Sequence, residues 1–158
     1  MKKFTMLFMV IGIPTLLACV GHQTGGTGTN SEDRQITSRH IKDIAGIEWQ
    51  LQRMKTDNHM VSLIKDTKNT FKCDENGKVG GMATINRYFG SFSLEEDGKL
   101  IWSKAFGMTR MAGPPELMEQ EAEFMKALPL TSRIYFKKGK LVLTSTNRST
   151  VLEFDKIE

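Results

Sequence analysis

The chain has 158 residues, 39% hydrophobic and 25% charged, with a formal net charge of +4. That length holds one domain with a proper core. Two cysteines and a near-average apolar content exclude a disulfide-stapled mini-protein, a disordered chain, a collagen and a polytopic membrane protein.

Lys2 and Lys3 precede an apolar run, Phe4 to Leu17, that no acid or base interrupts. About 20 apolar residues are needed to span a bilayer as a helix, so this run reads as a secretory signal instead. It ends Leu16-Leu17-Ala18-Cys19, which resembles the bacterial lipobox, Leu-x-(Ala/Gly/Ser)-Cys. The pattern implies cleavage before Cys19 and a diacylglyceryl group on its sulfur, because a thiolate is the nucleophile that takes up the lipid. Residues 1–18 are therefore expected to be a lipoprotein signal peptide. Cys19 is the expected lipid attachment site, and its several acyl chains (palmitate among them) the membrane anchor. Val20 follows, where an Asp favours inner-membrane retention in enteric bacteria. The expected location is the cell envelope, at the outer membrane facing the periplasm.

Gly21 to Asn30 is rich in Gly and Thr with little apolar content. Residues 19–43 thus read as a flexible tether, ending in a polar stretch or a short helical turn. Losing Lys2 and Lys3 with the signal halves the formal charge of +4, so the basic balance gives no argument for nucleic acid.

The folded domain is expected over 44–158. Ile47, Trp49 and Leu51 alternate with polar neighbours, the period of a strand with one wet face. Met54 to Lys68 is looser. Asn69 to Cys73 reads as a second strand, with Phe71 and Cys73 on one face. Asn76-Gly77, Asp97-Gly98 and Lys138-Gly139 are turns whose glycines supply positive φ. Around them lie the expected strands 79–85, 91–94, 100–106, 133–137 and 141–144, with a last one at 150–154. Seven or eight short strands with such turns predict an α+β domain, mostly antiparallel, as a curled sheet or partly open barrel.

One helix is expected, at about 115–128. Pro114-Pro115 opens it, Pro129 closes it, and Glu116 and Glu119 suit its positive end. At 100° per residue, Leu117, Met118, Phe124, Met125 and Leu128 share one side. Glu121 falls in the middle of that side. A carboxylate facing a core needs a partner or a raised pKa. Arg110 is one candidate partner; backbone N–H groups of a neighbouring loop are another. Two readings stay open: an acid poised in a pocket, or a satisfied carboxylate that pins the helix to the sheet. The second is favoured, because no second catalytic group stands nearby.

The three histidines, His22, His40 and His59, are scattered, and no metal-ligand pair or cofactor motif exists, so neither metal nor cofactor is expected. There is no Gly-x-Ser-x-Gly elbow. Gly77-Lys-Val-Gly80-Gly81 lacks a nucleotide fingerprint's spacing. Asn86-Arg87-Tyr88-Phe89 reads as an alternating strand rather than a nucleic-acid contact. Lys137-Lys138-Gly139-Lys140 reads as a solvated hairpin tip able to touch anionic lipid weakly.

Three stretches resemble one family. Ile47-Glu-Trp49-Gln-Leu51 is similar to its opening Trp-x-Leu. Gly77 to Phe92, with Asn86, Tyr88 and Gly90, resembles its Gly-x-x-x-Gly…Asn-x-Tyr-x-Gly-x-Tyr block. Thr109 to Glu121 resembles its Thr-Arg-Met-Ala-Cys-Pro…Met-Glu-x-Glu block. This is the META domain family, that of the heat-shock lipoprotein HslJ. The resemblance covers about Ile44 to Glu158. It implies a curled antiparallel sheet with one packed helix, no known catalytic centre, and an exported or envelope-anchored protein linked to stress tolerance. Arg110 and Glu121 both match the motif. Many members carry cysteines where Ile85 and Gly113 stand here, so a bridge of that kind is absent. That leaves Cys73 without a partner, and a buried hydrophobe-like thiol is its preferred reading.

The expected function is a non-catalytic binding or assembly role in the envelope, with an unidentified envelope protein as partner. A carrier of a small apolar ligand or lipid in the barrel comes second. An enzyme using Glu121 comes third.

Overall fold

The computed structural model describes residues 33–104 and 106–158, and the signal peptide and Cys19 lie outside them. In chain order the strands are Arg34–Ile36 (β1), Trp49–Thr56 (β2), His59–Val61 (β3), Thr70–Cys73 (β4), Lys78–Ala83 (β5), Asn86–Leu94 (β6), Leu100–Trp102 (β7), Gly107–Met108 (β8), Arg133–Lys137 (β9), Lys140–Thr144 (β10) and Val151–Lys156 (β11). They form one sheet in the order β1-β9-β10-β11-β2-β4-β5-β6-β7, with β3 added to β2 and β8 to β6. Every pairing is antiparallel. The fold is thus the expected curled sheet, and it does not close into a barrel. The two ends only approach, through a bridge between Lys99 and Arg133 and the Leu100 N–H on the Ser132 carbonyl at 2.9 Å.

β1, β3 and β8 are the strands beyond the expected number. Each has two or three residues, too few to show a period. β1 also moves the start of the fold. Residues 34–43, expected in the tether, form β1 and a 3-10 helix at Ser38–Asp43, and Ile36 is fully buried. A single apolar residue among polar ones carries no sequence signal, yet its pairing across β9 supplies the burial.

β2 runs on through the stretch expected to be loose. Its register against β11 shifts between Glu153 and Phe154, so Gln52 is an extra residue. Such a bulge reverses the alternation. Leu51 and Met54 therefore both face the core, although their odd spacing breaks a strict period of two. Asp57 and Asn58, both at positive φ, then turn the chain into β3. Short polar side chains tolerate that region. The expected strand 100–106 is cut to β7. Trp102 packs edge-on against Phe92 and tilted against Phe106, each at 5.5 Å.

The core lies inside the curl, where Trp49, Phe71, Phe92 and Phe154 share one buried cluster with Phe124 and Ala127 of the helix Pro115–Ala127 (α1). α1 begins at a proline and carries Glu116 in its first turn and Lys126 in its last. Pro129 has no N–H to continue the α ladder, and a 3-10 turn at Leu128–Leu130 follows. Phe124 of α1 meets Tyr88 of β6 edge-on at 5.8 Å.

Candidate functional site: the buried carboxylate of the helix

α1 turns Gln120, Glu121, Phe124 and Ala127 inward. Glu121 is 2% exposed and faces the β5–β6 turn. There Thr84 adopts φ +82°, which aims the next two N–H groups at the helix. Glu121 Oε2 accepts from the Ile85 N–H at 3.1 Å and the Asn86 N–H at 2.7 Å, and Oε1 accepts from Asn86 Nδ2 at 2.8 Å. Consecutive N–H groups of a turn make a concavity for anionic oxygens. Arg110 is exposed, and no ion pair among the described residues joins it to Glu121. The backbone supplies the partners instead.

Asn86 extends the network. Its Oδ1 accepts from Thr109 Oγ1 at 2.8 Å and the Met111 N–H at 2.7 Å, while Nδ2 also donates to the Met111 carbonyl at 3.1 Å. One side chain thereby ties β6, α1 and the 109–111 segment together. Gln120, which the sequence reading passed over, does the same next door. Its Oε1 accepts from the Ile64 N–H at 2.6 Å, and its Nε2 reaches Thr67 Oγ1 and Asn69 Oδ1 at 2.9 Å. The available signal was its place beside Glu121 on the inward side of the helix. Asn69 Nδ2 is buried with no partner, alone among the described side-chain nitrogens and oxygens.

The other motif residues have equally local roles. The Tyr88 hydroxyl donates to the Thr70 carbonyl at 2.8 Å, and burial pushes its pKa upward, with the Cys73 sulfur adding. Gly90 lies under the Phe106 ring, 2.9 Å from where a Cβ would stand. Ile85 and Gly113 touch: a Cβ on Gly113 would lie 2.3 Å from Ile85 Cδ1. Cys73 is free and buried. Desolvation, then the charge of Asp74, pushes its thiol from the ordinary 9.0 to about 12.

Chemically, this arrangement holds a carboxylate still. Both oxygens are engaged, three donors and no second acid or base meet them, and the nearby tyrosine and thiol are held protonated. Neither Glu121 nor Asn86 lines any of the clefts at Tyr135, Phe92, Cys73, Asn69 or Met82. The space that an apolar ligand would need inside the curl is filled by Trp49, Phe71, Tyr88, Phe124 and Phe154, each under 2% exposed. Among the described residues no group of three or more His, Cys, Asp or Glu is placed to hold a metal.

A family model described as the META domain matches residues 42–157. No curated protein matches the chain. Among solved structures, it is similar to a protein from Burkholderia xenovorans, at 22% identity and TM-score 0.63, over 78% of this chain and 90% of that one. It is also similar to a DUF4847 family protein from Bacteroides vulgatus, at 11% identity and TM-score 0.51, over 72% and 94%. At these identities the likeness shows the fold.

Proposed function

Because the chain belongs to the META domain family, we propose that it is an exported envelope lipoprotein whose domain works by binding or assembly rather than by catalysis. The anchor rests on Leu16-Leu17-Ala18-Cys19 after a basic start and a short apolar run. The non-catalytic reading rests on one observation: the motif's buried carboxylate is consumed by backbone and amide donors. A general acid or base must reach the proton it moves, and Glu121 is 2% exposed, with both oxygens turned to these donors. A filled core likewise speaks against an internal ligand, so the carrier reading has less support. Val20 after Cys19 favours the outer membrane, with the domain in the periplasm and a role in envelope stress tolerance.

The test is the intact mass of the full chain expressed in a Gram-negative host and extracted from its membranes. The expected product lacks residues 1–18 and carries acyl chains on Cys19, and Cys19→Ser abolishes both changes. A soluble periplasmic product with a free Cys19 thiol would overturn the anchor. Crosslinking in the native envelope then separates the roles. A recurrent protein partner supports assembly, whereas lipid retained inside the domain supports the carrier.

A further inference from the structure

The outer face of β9, β10 and β11 carries a cationic surface that the fold does not use. Tyr135, Val142 and Glu153 are paired across these strands, and Lys137 and Lys140 form the next pair towards the hairpin tip. Lys138 and Gly139, both at positive φ, make that tip. A cleft of about 380 Å³ lies on this face, with Tyr135 and Val142 in its lining and Lys137, Lys138, Lys140 and Arg148 around it. Lys55 lies on the same face, opposite Val151.

The acids here are already engaged. Glu153 pairs with Arg53, Asp155 with Lys140 and Asp97 with Arg133. Asp33 Oδ1 accepts the Lys138 N–H at 3.1 Å. None of the ion pairs among the described residues involves Lys55, Lys137, Lys138 or Arg148, and Lys137 lies 4.9 Å from the centre of the Tyr135 ring. Among the described residues, four cations on this face thus form no ion pair with a carboxylate.

The chain enters the fold at this same place. Arg34 pairs with Phe136 on β9, and Asp33 is bonded to the hairpin tip. Between Cys19 and Asp33 there are too few residues to span more than about 50 Å even fully extended, at ~3.3–3.6 Å each. An anchor at Cys19 therefore keeps the basic hairpin within about 50 Å of the lipid.

We infer that this face docks on anionic phospholipid headgroups of the anchoring membrane, setting the orientation of the domain. This rests on the lipoprotein reading above and goes beyond it by naming the surface and its partner. Basic residues at a surface gain from an anionic leaflet only within about a Debye length, ~8 Å at physiological salt. A connection of at most about 50 Å allows the face to come within that distance.

The test uses the acylated full chain in vesicles of phosphatidylethanolamine and phosphatidylglycerol, with a fluorophore on Lys138→Cys and a headgroup-borne quencher. A label on Glu116→Cys, on α1 and outside this face, is the control. Quenching is expected to be stronger at 138 than at 116, and to fall in phosphatidylcholine vesicles or in 1 M salt, where the Debye length is about 3 Å. Lys55→Gln, Lys137→Gln and Arg148→Gln together should lower the docked population on the order of a hundredfold, at about fivefold for each cation. Equal quenching at both positions, or indifference to phosphatidylglycerol, overturns the inference. Protection of the 138 label only when envelope proteins are added gives the face to an acidic protein and also overturns it. Acyl mass on Cys19 in the same sample is a separate reading: its absence defeats the lipoprotein proposal instead.

Discussion

The Asn86 amide donates to the Glu121 carboxylate at 2.8 Å, and its orientation is fixed from behind by the Met111 N–H on Oδ1 at 2.7 Å. Neither side chain can turn without losing a backbone partner. Glu121→Gln therefore sets an NH2 group against either Asn86 Nδ2 or the turn's N–H groups. The expected cost is about 1–3 kcal/mol, that of an unsatisfied buried polar group, measured by urea unfolding. Unchanged stability together with loss of a partner would return Glu121 to a functional role.

Asn86→Asp faces a second carboxylate on Glu121. Two carboxylates at one site raise one pKa strongly. A folded-state pKa above the unfolded value means that stability is held below the unfolded carboxyl range and lost as pH rises through the raised value. The variant should therefore gain stability on acidification relative to the parent, read from unfolding midpoints across mildly acidic pH.

Cys73 should behave as an inert hydrophobe. The native protein at pH 8 is expected to leave Cys73 unlabelled by a thiol reagent, and the unfolded protein to label it fully. Because burial raises this thiol from 9.0 to about 12, its contribution is complete below pH 9 and disappears between pH 9 and 12. Tyr88, raised in the same direction, adds to the alkaline loss. Cys73→Ala, which removes one of the two groups, should show a shallower decline over that window.

Ile85→Cys with Gly113→Cys should form a disulfide. Ile85 Cγ1 lies 3.3 Å from the Cβ position of Gly113, where a sulfur at that place would meet its partner within normal bridge geometry. About 3 kcal/mol of stabilisation is expected for a loop of this size. The check is the shift in Tm with and without reductant.

Gly81→Ala should be among the most damaging single-methyl changes. Its Cβ would fall 2.1 Å from the Thr70 carbonyl oxygen, a backbone atom locked in the sheet, whereas at Gly90 the obstacle is the Phe106 ring at 2.9 Å. Overpacking costs typically about 1–3 kcal/mol. Gly81→Ala should exceed Gly90→Ala in an equilibrium unfolding comparison, because a ring can move and a paired carbonyl cannot.

Legibility followed signal length. The hairpins at Gly77, Gly98 and Gly139 were readable because their turn chemistry is local, as was α1 between its prolines. The Asp57-Asn58 hairpin, without glycine, was not. Glu121 stood out on the helix wheel, since one charge among apolar residues is conspicuous. Its partners did not, because a backbone N–H has no letter in a sequence.

The sequence by itself determined the antiparallel class, the helix, the family and the inward place of Glu121. Each follows from periodicity, turn residues or a motif carried within a short window. Only the tertiary structure decided that Asn86 and the 84–86 turn, rather than Arg110, satisfy that carboxylate. It alone placed Ile36 in the core and Asp33 against the Lys138 tip. Those contacts join residues far apart in the chain, and which donor reaches a buried charge is set by the curl of the sheet.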